Sequence, residues 1–255
     1  MPDRFRIAIR YVTPKLLSAG DAAFVVEFGN TIDRPTNARV MALHRAVAKA
    51  RAEGGLEGVV ETVPTFRSLM VQYDPLRTSR NELEAPVLAL AQADEVQSTA
   101  GRRWRIPVCY DGELAPDLDE VAHRTGLTRE RVIEAHLGAT FFAYVLGFMP
   151  GFAYLGGLPR ELELPRRTEP RVRVPKNSVA IAQALTAIYP WESPGGWHLI
   201  GRTPIALFDL RRPEPILWAA GDEVVFARID RNEFDAMAAK VEAGTFDHAA
   251  LEVGS

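Results

Sequence analysis

The sequence predicts an α+β protein in two parts: a ferredoxin-like α+β unit over residues 1–95, then a β-rich unit, sandwich or barrel, over residues 96–255. Three observations predict it. The first part runs strand, helix, strand, strand, helix, which is most of a split βαβ unit. From about Ala143 to Ile229 the chain consists of short apolar runs punctuated by Gly and Pro, the habit of a sandwich or barrel. Between the parts lies a polar stretch, Asp94–Gly101, with Gln97, Ser98 and Thr99, which reads as a linker.

Ala22–Phe28 (AAFVVEF) reads as a strand between Asp21 and Gly29. Val40, Leu43, Val47 and Ala50 then recur at helical spacing from about Pro35 to Glu53, and Gly54-Gly55 stops that helix. Gly58–Val63 is a second strand. Ser68–Tyr73 is a third, with Leu69, Val71 and Tyr73 alternating against Met70 and Gln72 until Asp74-Pro75 closes it. A second helix follows from about Ser79 to Ala93. In the second part Arg103–Cys109 reads as a strand. Asp117 with Glu120 resembles a capping box, starting a short helix that Gly126 ends. Another helix starts at Thr128 and buries Val132, Ile133, His136 and Leu137. SVAIAQAL, PIALFDL and EVVFARI read as strands. A last helix begins near Asp230 with Phe234, Met237 and Val241 on one face, and the last residues are expected to fray.

Composition narrows the function. With 255 residues, 47% of them hydrophobic, the chain has ample material for packed cores. A net charge of −3 gives no bulk attraction to nucleic acid or membrane. The single cysteine, Cys109, permits no internal disulfide and no cysteine-based metal site, and suits a reducing cytoplasm. No signal-peptide core and no transmembrane run is expected.

The densest chemistry lies in Gly147–Pro159 (GFMPGFAYLGGLP) and Tyr189–Pro204 (YPWESPGGWHLIGRTP). Glycine admits close backbone approach, proline stiffens the loops, and aromatics supply contact surface. The two segments are expected to form one cleft with imidazole, guanidinium and flat rings turned inward. His198 reads either as an acid/base group or as a structural histidine bonding a loop carbonyl. No P-loop is present, because Leu158-Pro159 stand where Lys and Ser or Thr are required. No histidine spacing suits a metal, and His136 reads as a core residue. Neither Ser178 nor Ser193 lies in a nucleophile elbow, and Cys109 reads as a buried, inert thiol. Arg166, Arg167, Arg171 and Arg173 form a basic cluster that is either a solvated loop or an anion-facing one, with Arg173 preferred for function.

These residues carry a family resemblance. GDAAFVVEFGNTID (Gly20–Asp33), VPTFRSLMVQYDP (Val63–Pro75), IPVCYDGELAPDLDEVA (Ile106–Ala122), LGFMPGFAYLGGLP and SPGGWHLIGRTP resemble the B-type subunit of 5-oxoprolinase. That group is also called allophanate hydrolase subunit 1-like and includes a sporulation histidine-kinase inhibitor. The resemblance implies that the second part is a cyclophilin-like β-barrel. It also implies one subunit of an ATP-dependent hydrolase opening 5-oxoproline to glutamate, acting with a barrel-containing C-type subunit and an A-type subunit. ATP would be used by the assembled complex, with no metal site in this chain. On this basis His198 and Arg202 are expected to be catalytic. Phe148, Pro150, Gly151, Phe152, Tyr154, Arg173, Tyr189, Pro194, Gly195, Gly196, Trp197 and Thr203 are expected to bind substrate. The alternatives are a binding protein that inhibits a sensor histidine kinase, or a paralogue in urea- or allophanate-type amide hydrolysis.

The chain departs from that family's usual VPAGSVAIAGGQTGIYP, reading VPKNSVAIAQALTAIYP over Val174–Pro190. Lys176 and Asn177 replace Ala and Gly. Gln183 and Ala184 replace glycines, Leu185 replaces Gln and Ala187 replaces Gly. Side chains thus stand where backbone access is expected, although Asn177 tolerates a left-handed conformation.

Overall fold

A computed structural model describes residues 9–92 and 101–254. The chain forms two compact units, residues 1–99 and 100–255. The expected linker, and with it the 95/96 boundary, lies almost wholly outside the described residues.

The first unit contains β1 (Arg10–Ser18), β2 (Ala23–Gly29), α1 (Arg34–Ala52), β3 (Val59–Pro64), β4 (Ser68–Tyr73) and α2 (Arg80–Gln92). Asp33 caps α1 by accepting the Thr36 N–H at 2.8 Å. Val40, Leu43 and Val47 of α1 pack with Phe24, Val26 and Leu69 of the sheet. The strands are antiparallel in the order β1-β2-β4-β3. The α+β class stands, but the ferredoxin-like connectivity differs. The edge beside β2 is filled by β1, from earlier in the chain, and not by a strand following α2. β1 escapes sequence reading because it is largely exposed and lacks clean alternation.

The second unit contains β5 (Arg103–Val108), α3 (Leu118–Thr125), α4 (Arg129–Leu137), β6 (Phe141–Leu146), β7 (Ala153–Gly156), β8 (Arg171–Val174), β9 (Ser178–Ala182), β10 (Leu185–Ile188), β11 (Ser193–Gly195), β12 (His198–Arg202), β13 (Glu223–Arg228) and α5 (Arg231–Glu242). Seven strands form one sheet in the order β12-β9-β10-β7-β6-β13-β5, with β8 and β11 as a separate ribbon. The sheet nearly closes on itself. Just past β5, Cys109 exchanges backbone hydrogen bonds with Arg202 of β12, both 2.9 Å. Gly201 is required at this seam, since a Cβ there would stand 2.7 Å from Val108 Cγ1. Ile106, Phe141, Leu155, Ile181 and Ile200 fill the interior.

His136 is a core residue, as expected. It lies 2.9 Å from the Tyr110 hydroxyl and 3.2 Å from the Thr186 hydroxyl, and stacks on Phe226 with ring centres 4.5 Å apart. Burial holds its pKa down at about 3. Cys109 is buried, and that burial raises its thiol pKa.

Three expectations are corrected. PIALFDL forms no regular strand. Only an isolated bridge forms, Phe208 to Ile216, and the Arg212 guanidinium donates to the carbonyls of Ala206 and Leu207 at 2.8 and 3.0 Å. The last residues do not simply fray: Leu251 is buried and the Val253 N–H donates to the Arg103 carbonyl at 2.8 Å. Asp117 precedes α3 without capping it, because its carboxylate is bound elsewhere. Among the described residues no helix is long and apolar enough to cross a membrane.

Candidate functional site

The two dense segments meet in an aromatic groove of about 250 Å³ in the second unit. Phe152 and Tyr154 stand at the start of β7, Tyr189 just past β10, and Trp197 just before β12. The Phe152 ring lies 5.0 Å from Tyr154, 5.3 Å from Tyr189 and 6.2 Å from Trp197, all edge-to-face. Phe148, at φ +70° and well exposed, packs on Phe152 at 5.4 Å. Gly195 leaves room for the Tyr189 hydroxyl, because a Cβ there would come within 2.5 Å of it.

Besides Tyr154, two side chains bring polar heads to this groove. Arg166 lines it with its guanidinium 5.9 Å above the Trp197 ring, and has no carboxylate partner among the described residues. The Tyr189 hydroxyl has no hydrogen-bond partner among the described residues, and burial pushes its pKa up to about 12. It therefore stays protonated and able to donate. Among the described residues no carboxylate, imidazole or thiol lines the groove.

A charge network holds the adjoining loops. The buried Asp117 carboxylate accepts the Leu199 N–H at 2.7 Å and pairs with Arg171 at 2.5 Å and Arg167 at 3.4 Å. Arg167 also reaches Glu120 at 2.7 Å, and its backbone N–H donates to the Gly196 carbonyl at 2.8 Å. Asp117 thus ties β12 and the Gly196 turn to the start of α3.

The expected single cleft is divided. Phe148, Phe152, Tyr154, Tyr189, Pro194, Gly195, Gly196 and Trp197 share the groove. His198 does not line it. Its ring is fully buried, with Nε2 3.0 Å from the Pro165 carbonyl and Nδ1 3.9 Å from Glu120. This is the loop-carbonyl geometry of a structural histidine. Arg202 and Thr203 line a different cavity, of about 600 Å³. Arg173 is exposed and paired with Glu192 at 2.7 Å, outside the groove. Pro150 is exposed, and the Gly151 carbonyl accepts the Trp218 indole N–H at 3.0 Å, so neither lines the groove. Sequence reasoning prefers Arg173, whereas Arg166 of the same basic cluster reaches the groove. It also misses Pro170 on the rim and the anchoring part of Asp117. The Asp117–Glu120 spacing is visible in the sequence but reads there as a cap.

Two of the departures fall on left-handed backbone: Asn177 at φ +64° and Gln183 at φ +54°. Both stand where the family has glycine, which supplies that conformation without strain.

Comparison with known proteins places these features. Residues 14–218 match the family model described as carboxyltransferase domain, subdomain C and D. The 5-oxoprolinase B-type subunit of Bacillus subtilis is 38% identical over 244 residues, covering 90% of this chain and 98% of that protein. The crystal structure of the protein TTHA0988 is 39% identical with a TM-score of 0.71, covering 82% of this chain, which spans only 40% of that one. The Kluyveromyces lactis urea amidolyase shares the fold, with a TM-score of 0.76 over 96% of this chain at 20% identity, and this chain spans 17% of its length.

Proposed function

The chain belongs to the carboxyltransferase C and D domain family and, within it, to the group of 5-oxoprolinase B-type subunits; from that premise we propose that it is the B-type subunit of an ATP-dependent 5-oxoprolinase, supplying a lactam-binding groove to a shared active centre.

The observation that carries this reading is the composition of the groove: aromatic walls, one guanidinium without a carboxylate partner, the protonated Tyr189 phenol beside that of Tyr154, and no carboxylate, imidazole or thiol among the described residues that line it. A five-membered lactam bearing a carboxylate suits it. The ring lies among Phe152, Tyr154 and Trp197. The carboxylate pairs with Arg166, whose fork matches it. The Tyr189 hydroxyl donates to the lactam carbonyl oxygen, and the bond strengthens as negative charge develops there. His198 and Asp117 position the Gly196–Trp197 turn and touch no substrate.

A stable amide also needs an activated carbonyl and a deprotonated water. The groove lining has no group to deprotonate water, so that step falls to a partner: a C-type subunit with a barrel of its own and a separate A-type subunit. The groove does not fit a triphosphate. It is small, offers one guanidinium, and lacks the Lys-Ser/Thr helix start that cradles phosphates. In the assembled enzyme ATP would supply carbonyl activation from outside this groove. This chain's one thiol is free and buried, which suits the reducing cytoplasm where ATP is at hand.

The test is co-expression with the C-type and A-type subunits, then measurement of glutamate formed from ATP and 5-oxoproline. The complex turns over and the isolated chain does not. Arg166→Gln raises KM, and Tyr189→Phe lowers kcat, each by about 10- to 100-fold, as the loss of a charge-assisted bond implies. Full activity of the isolated chain would overturn the shared-centre reading.

A further inference from the structure

The larger cavity of the second unit lies apart from the groove and shares no lining residue with it. Its polar wall comes from two rigid segments. Arg202 is fixed through its backbone to Cys109 on both the N–H and carbonyl sides, at 2.9 Å each. The Thr203 N–H donates to the Asn177 carbonyl at 3.0 Å, and the Asn177 N–H to the Tyr189 carbonyl at 2.6 Å. Lys176 precedes Asn177 on the same wall. Trp191 and Phe208 add an aromatic part, their ring centres 5.7 Å apart, and Asp209, Arg211 and Glu242 also line the cavity, with Asp209 neutralised by Arg211 at 2.6 Å.

These polar groups lack partners. The half-buried Arg202 side chain makes no ion pair or hydrogen bond among the described residues, and its Nε is enclosed and unbonded. Burial lowers its pKa, the Glu113 charge opposes that, and Arg231 adds to it. Glu113 is itself bound to Arg231 at 2.9 Å. Asn177 is 7% exposed with its amide oxygen unbonded. Lys176 has no carboxylate partner among the described residues. Leaving a desolvated guanidinium unpaired is costly, and an enclosed anion offsets that cost.

We propose that this cavity is a second ligand site, for a small molecule with an oxyanion head held by Arg202 and Lys176, its apolar part against Trp191 and Phe208. Carboxylates and phosphates share the head-group chemistry. The site does not depend on the lactam reading of the groove.

The experiment titrates the full chain with inorganic phosphate and, separately, with succinate at constant ionic strength. Binding is followed by Trp fluorescence, since Trp191 is the exposed tryptophan. Saturable binding of either probe is expected, and the tighter one identifies the head group. Lys176→Gln and Arg202→Gln each weaken it at least 10-fold, whereas Arg166→Gln in the groove leaves it unchanged. Circular dichroism verifies folding, and Lys176→Gln, a surface change, keeps the test valid if Arg202→Gln misfolds. No saturation by either probe, or equal affinity in Lys176→Gln, overturns the proposal.

Discussion

The aromatic groove and the Arg202 cavity flank the same stretch of β-structure, yet they are built on different principles. The groove is apolar, shaped by interlocking rings, and its loops are tied by an ion network through Asp117. The cavity is polar, its donors set by backbone bonds around Cys109, Asn177 and Arg202, with the side chains unsatisfied. Ten residues, Pro194 to Thr203, carry parts of both. The difference teaches that a dense motif marks an important place without marking one site. A strand passing between two concave surfaces serves each with different residues.

The comparison can be broken most forcefully at Asp117. Replacing it with Ala removes the acceptor of Leu199 N–H and leaves Arg167 and Arg171 without their buried partner, costing about 3 kcal/mol by urea unfolding. The groove signal of Trp197 in near-ultraviolet circular dichroism should change, while oxyanion binding in the cavity should persist. Loss of both sites together would show that they are not separately supported.

Acid tests the scaffold common to both. The unfolded state binds a proton at His136 below about pH 6.5, whereas the folded state resists it until about 3. The unfolded state therefore holds more protons across that window, and stability falls as pH falls through it. At pH 4.5 the loss is about 2–3 kcal/mol relative to pH 7, from about 1.4 kcal/mol per pH unit. Unfolding titrations of a His136→Asn variant should show a flatter acid limb. Equal slopes would mean that the buried imidazole is not the group responsible.

The smallest effect is expected at Arg173. Its pair with Glu192 is open to solvent, so Arg173→Ala changes stability by no more than about 0.5 kcal/mol. It should also leave lactam and oxyanion binding unaltered. A tenfold loss of either would return Arg173 to the functional part that its sequence context suggests.

Local pattern makes much of the molecule legible. Helical spacing locates α1 to within a residue or so, and alternation locates β4. The helix start near Asp230 and the left-handed Gly126 terminus both form. In each case the signal and the structure lie within a few residues of one another. β1 is illegible because its exposed face and interrupted alternation leave little periodic signal.

The amino-acid order by itself determined the class of the fold, the family, and the ring-rich segments where a ligand would lie. Only the tertiary structure decided which polar residue accompanies the rings. Strand direction and the turn at Pro165–Pro170 bring Arg166 over Trp197, turn His198 into the interior, and send Arg202 to another cavity. The reason is that residue type and spacing encode what a side chain can do, whereas the direction it points depends on pairings between strands distant in sequence.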